Sequence, residues 1–108
     1  MRTRAILAAT LLGLTAAAHA QGEVKGDAQR AKGKVSLCIG CHGIPDYRTA
    51  YPEVYRVPMI AGQNAAYIVK ALEQYRSGDR NHPSMRAVAR SLSNQDMADI
   101  AAFYSTSK

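Results

Sequence analysis

The chain has 108 residues, a formal charge of +6, no Trp and only two Cys. That mild basic excess is too weak to argue for a nucleic-acid-binding protein, and no aromatic residues are interleaved in a basic stripe. No segment alternates apolar and polar residues with period two, and no repeat or low-complexity stretch occurs, so an all-α single domain without a sheet is expected.

Met1-Arg2-Thr3-Arg4 is followed by an apolar run to Ala17 and then by Ala18-His19-Ala20. A basic start, a short apolar stretch and an A-x-A exit describe a cleaved secretory signal over residues 1–20. The run falls short of the ~20 residues that span a bilayer. The mature chain would then be residues 21–108, with a charge of +4 once Arg2 and Arg4 leave.

Residues 21–26 read as a polar leader that frays. Asp27 is a cap for a first helix running to about Leu37, in which Gly33 is expected to allow close packing of another helix. From Gly43 to Pro58 the chain is irregular, broken by Pro45, Pro52 and Pro58. Tyr47, Tyr51 and Tyr55 in this stretch read as loop-packing residues, or as hydroxyls that would hold a carboxylate together with Arg48 or Arg56. A helix is predicted over Ala65 to Ser77, with Tyr67, Ile68, Ala71, Leu72 and Tyr75 on one face and Gly78 as its stop. A short helix over Met85 to Leu92 follows a loop from Asp79 to Ser84. Ser93-Asn94-Gln95-Asp96 resembles a capping box for a last helix to about Ser105, whose stripe is Met97, Ile100, Ala101 and Tyr104.

Both cysteines stand in Cys38-Ile39-Gly40-Cys41-His42. C-x-x-C-H is the attachment signature of a covalent c-type haem. Two thiols on one helical turn can each add across a vinyl group, and the next residue brings an imidazole under the iron. A thioredoxin-like pair would sit near a βαβ pattern, and none is present. A structural zinc site wants four ligands, and adjacent Cys41 and His42 cannot easily reach one tetrahedral ion. A buried macrocycle also answers a problem of size, since a secreted domain of 88 residues usually needs a staple.

His42 is therefore the expected proximal iron ligand. For the distal position the chain offers Met59, Met85 and His82, while Met97 reads as core. Met85 lies beyond a full helix, which leaves room for the chain to round the haem edge. Met59 is close behind His42, and His82 would give bis-His ligation.

The mature chain as a whole resembles the class I c-type cytochromes, in particular the bacterial monohaem c-553 and c-four type domain. The resemblance rests on Cys38 to Gly43, Pro58-Met59-Ile60-Ala61-Gly62-Gln63, Tyr67, Leu72, Ser77-Gly78 with Arg80, Met85, and Leu92 to Tyr104. It implies a cytochrome c fold of four to five short helices wrapped around one haem c. In such proteins the distal Met stands seven residues before the Leu of a Leu-Ser pair, which selects Met85 before Leu92-Ser93. Met59 falls where the family often has Lys. The resemblance further implies that the Pro58 carbonyl accepts the His42 Nδ1 proton. The chain departs from its relatives at Ile44-Pro45-Asp46-Tyr47, where they often have an Asp-Gly-Asn type turn.

The function this implies is one-electron transfer in the periplasm by a monomeric or weakly associating carrier, not an enzyme. It would dock on redox proteins with acidic surfaces. A subunit of a periplasmic dehydrogenase, such as a flavoprotein, is the alternative. A haem sensor or enzyme would require an iron site left open by Met85.

Overall fold

The computed structural model describes residues 23–51 and 54–108. The expected signal segment, 1–20, lies outside them. The described elements are α1 (Ala28–Ala31), α2 (Ser36–His42), β1 (Arg48–Thr49), β2 (Tyr55–Arg56), α3 (Ala65–Ser77), α4 (Pro83–Arg90) and α5 (Asn94–Thr106). Five helices carry the architecture, and α5 is its spine. Both α1 and α3 pack on α5, and α4 packs on α3. Met97, Ile100, Ala101 and Tyr104 of α5 are buried with Ala31, Val35, Ile68, Leu72 and Ala89.

The helix ends follow local chemistry. Asn64 caps α3 by accepting from Tyr67 N, and Gly78 ends it in the left-handed region at φ 97°. Ser93 and Asp96 form a complete capping box on α5, with both reciprocal bonds present. Pro83 occupies the first turn of α4, where its missing N–H costs no helical bond, so the helix starts before Met85.

Four expectations need correction. The first helix is not continuous to Leu37: it ends at Ala31, and residues 32–35 form turns before α2. Gly33, a poor helix former, lies in that break, and a Cβ built on it meets nothing within 4 Å, so close packing is not its role. The close approach is at Gly26, where a Cβ would stand 2.0 Å from the Ala98 carbonyl oxygen. The leader is consequently pinned rather than frayed at its described end: Gln95 Nε2 donates to Lys25 O (2.9 Å) and Asp27 N to Asp99 Oδ1 (2.8 Å). The fourth correction concerns the absence of strands. β1 and β2 pair antiparallel, with Arg48 opposite Arg56 and Thr49 opposite Tyr55. Each strand is two residues long, too short to leave a period-two signature. The turn into this hairpin uses Asp46 at φ 55°, a conformation that short polar side chains tolerate.

Asp99 is fully buried, and four residues satisfy it. Arg30 approaches it through Nη2 (2.9 Å) and Nε (3.1 Å), Lys34 through Nζ (3.3 Å), Gln95 through Nε2 (2.8 Å) and Asp27 through its backbone N–H. Lys34 also pairs with Asp96. Hydrogen bonding from the Arg30 guanidinium is the main reason the Asp99 carboxyl is held well below the ordinary carboxylate range. The hub joins the chain just before and after α1 to the start of α5.

Candidate functional site

On the other side of α3 lies a cavity of about 700 Å³. Its floor is the apolar face of α3, with Ile68, Ala71 and Leu72 between Tyr67 and Tyr75. The end of α2 contributes Cys41 and His42 to one wall, and α4 with its preceding turn contributes His82 and Met85 to another. The hairpin and the segment after it close a third side with Thr49, Tyr55, Arg56 and Pro58.

His42 ends α2, and its Nδ1 lies 2.7 Å from the Pro58 carbonyl oxygen. A carbonyl can only accept, so this bond puts the ring proton on Nδ1 and leaves the Nε2 lone pair available to a metal. The Pro58 segment is itself anchored, because Gly62 N donates to Tyr104 O of α5 at 2.8 Å. The imidazole is thus tied through one short loop to the spine of the fold.

Met85 lies in the first turn of α4, half-buried, and packs against the core cluster while facing the cavity. His82 caps that helix. Its Nδ1 accepts from Met85 N at 3.4 Å, and its ring meets Tyr55 edge to face at 4.7 Å. The helical cap thus uses one of the two nitrogens of this rival ligand. Met59 also borders the cavity but is 52% exposed.

Cys38 and Cys41 are not joined to one another, and both are half-buried. Three positions on a helix turn the chain by about 300°, which sets the two sulfurs on adjacent faces. Cys41 borders the cavity, while Cys38 packs against the core cluster beside it. Burial, and to a lesser degree Cys41, pushes the Cys38 thiol up.

The charged groups of the lining are Arg56 and Arg80, and among the described residues no carboxylate joins them. An apolar chamber, an imidazole with its free nitrogen, a thioether on another wall and two guanidinium groups at the margin fit a flat apolar macrocycle bearing two carboxylates. The sequence offered Arg48 or Arg56, with the loop tyrosines, as carboxylate partners, and Arg56 is the one that stands in the lining. Arg80 stood in the sequence only as part of a motif. Its setting between Tyr67 and Tyr75 depends on how the chain turns back after Gly78.

A helical fold closed around such a chamber, with C-x-x-C-H at its entrance, defines a c-type cytochrome. No family model matches the chain. It is 38% identical over 84 residues to cytochrome c-554(548) of Halomonas halodenitrificans, covering 75% of this chain and 96% of that protein. Cytochrome c4 of Pseudomonas aeruginosa is 37% identical over 97 residues, which cover 90% of this chain but 44% of the relative. The crystal structure of reduced recombinant cytochrome c4 from Pseudomonas stutzeri superposes with a TM-score of 0.61 at 31% identity, over 77% of this chain and 46% of that one. The chain therefore spans about half the length of the cytochromes c4 it matches and nearly all of cytochrome c-554(548). It belongs to the class I c-type cytochromes, electron carriers with covalent haem c.

Proposed function

We propose that this protein is a periplasmic one-electron carrier. Cys38 and Cys41 would hold haem c, and His42 and Met85 would supply the ligands to its iron. The signal read over residues 1–20 supports export, which leaves residues 21–108 as the working domain. Among the described residues no helix is long and apolar enough to cross a membrane. The observation that carries the reading is the 2.7 Å contact between His42 Nδ1 and Pro58 O.

When bound, the haem supplies a reversible ferrous–ferric couple. The chain's own residues make that couple fast and selective. Pro58 holds the His42 ring in one tautomer and orientation. The cap from His82 and the packing of α4 hold Met85 on its wall, so the ligand frame need not rearrange when charge changes. Ile68, Ala71 and Leu72 give the chamber an apolar floor. An apolar chamber disfavours the extra positive charge of the ferric state and raises the potential. Ile39, Leu37 and Ile44 are exposed around the attachment turn and offer an apolar contact surface for electron exit. The mature charge of +4, lowered by two ionised haem carboxylates, favours docking on acidic redox proteins, with the carrier itself monomeric or weakly associating.

The reading is tested by expression with a haem-attachment system. Haem should remain on the chain through a denaturing gel, the protein should appear in the periplasmic fraction lacking residues 1–20, and Cys38→Ala with Cys41→Ala should abolish the haem stain. Haem lost on denaturation, or a cytoplasmic full-length product, would contradict it.

A further inference from the structure

Arg80 is a cation in the cavity wall whose partners among the described residues are all neutral. Its backbone N–H donates to Gln74 O at 3.1 Å, which folds the chain back on the end of α3 after Gly78. The side chain then lies against the same helix. Nε donates to Gln74 Oε1 at 2.8 Å and Nη2 to the Tyr67 hydroxyl at 3.1 Å. The guanidinium carbon stands 5.5 Å from the Tyr67 ring centroid and 5.7 Å from that of Tyr75. Two rings and an amide thus fix its plane, and the five-donor fork keeps N–H groups to spare.

No carboxylate answers this charge among the described residues. The neighbouring Asp79 is engaged elsewhere, since its Oδ2 accepts from the Ser77 hydroxyl at 2.8 Å. Arg56, the other guanidinium of the lining, is differently placed. Its side chain is 68% exposed and already bonded to Asp46 Oδ1 at 2.7 Å. A half-buried guanidinium without an anion is unfavourable, and a planar fork with free N–H groups is the donor that matches a carboxylate in two-point geometry.

We propose that Arg80 is the anchor for one of the two haem propionates, oriented for that task by Tyr67, Tyr75 and Gln74. The second propionate is left at the open margin with Arg56, where Asp46 competes for the cation. This assignment rests on the haem reading above. It makes the two haem carboxylates unequal: one is held and charge-compensated inside the wall, and the other is solvated near the hairpin.

The test uses holoprotein of wild type, Arg80→Gln, Arg80→Lys, Tyr67→Phe and Arg56→Gln. Two readouts are compared, the propionate bending mode in the resonance Raman spectrum and the reduction potential from a spectroelectrochemical titration. Arg80→Gln should shift the bending mode and lower the potential, because a positive charge beside the ferric centre has been removed. Arg80→Lys should recover part of the potential but not the mode, since an ammonium lacks the fork. Tyr67→Phe should shift the mode in the same direction by less. Arg56→Gln should move both readouts less than Arg80→Gln. The assignment is overturned if Arg80→Gln and Arg80→Lys, carrying attached haem, keep the wild-type mode and potential, or if Arg56→Gln gives the larger shift. A wild type without a covalent haem spectrum would overturn the haem reading itself, a different and separately recognisable result.

Discussion

Where α1 crosses α5, a buried carboxylate is satisfied by four residues. Across α3, a guanidinium in the cavity wall has only neutral partners among the described residues. At the crossing, charge and packing close on themselves. Asp99 absorbs Arg30 and Lys34, and Gly26 lets the leader lie directly on Ala98. In the cavity, His42, Met85 and Arg80 are held firmly from behind, while the groups that could bind face the chamber. The difference separates what keeps the chain folded from what it presents to a cofactor. Substitutions at the crossing should change stability and leave the iron's spectrum alone. Substitutions in the wall should do the reverse.

The largest effect on stability is expected from Gly26→Val. The new side chain meets a backbone carbonyl, which cannot swing aside, so α5 and the leader must separate. A loss of about 3 kcal/mol or more is expected in thermal unfolding of the holoprotein, with unchanged bands in the fraction that stays folded. Asp99→Ala comes next. It leaves the Asp27 N–H and the Gln95 amide without their buried acceptor, for a loss of about 2–3 kcal/mol in denaturant titration.

The same hub sets the acid limb. Asp99 is held low chiefly by Arg30, and Asp96 is lowered to about 2, first by Lys34 and then by Ser93. A depressed carboxylate stabilises the fold fully above its unfolded pKa of about 3.9. That contribution drains as pH falls towards about 2 for Asp96 and further for Asp99. Unfolding free energy should therefore hold level down to about pH 4 and drop below it. Asp96→Asn with Asp99→Asn should flatten that drop, and an unchanged acid slope would remove the hub from the account.

Tyr104→Phe is the smallest. The hydroxyl is buried and has no hydrogen-bond partner among the described residues, and burial pushes it up to about 12. Deleting it should be neutral or stabilising by up to about 1 kcal/mol, read as an unchanged or higher midpoint. A clear loss of stability would show that the hydroxyl has a partner.

The two regions were not equally legible in the sequence. α3 begins and ends where Asn64 and Gly78 say, and α5 starts at its capping box, because those signals act within a few residues. The last helix's stripe of Met97, Ile100, Ala101 and Tyr104 is buried as its periodicity requires. The crossing was not legible. Gly26 and Asp99 act across 72 residues or so of chain, and nothing local marks a glycine for an approach or an aspartate for a hub. Gly33, the glycine that looked suited to close packing, sits in a turn instead. The candidate site came from one motif, one distance and one resemblance. Cys38, Cys41 and His42 stand out by spacing, Met85 was favoured by its place beyond a full helix and then selected by the family pattern, and Pro58 came from that pattern alone. The aromatic seat of Arg80 escaped, because it depends on the left-handed turn at Gly78 folding the chain back on α3.

On the proposed reading, His42 and Met85 together hold the iron of one covalent haem in an electron-transferring site. The most direct measurement is the near-infrared spectrum of the ferric holoprotein beside that of Met85→Ala. A Met-to-ferric charge-transfer band is expected in the wild type and lost in Met85→Ala, where the iron instead binds added cyanide or imidazole readily. A wild type without the band, or a Met85→Ala protein that keeps it, would contradict the account.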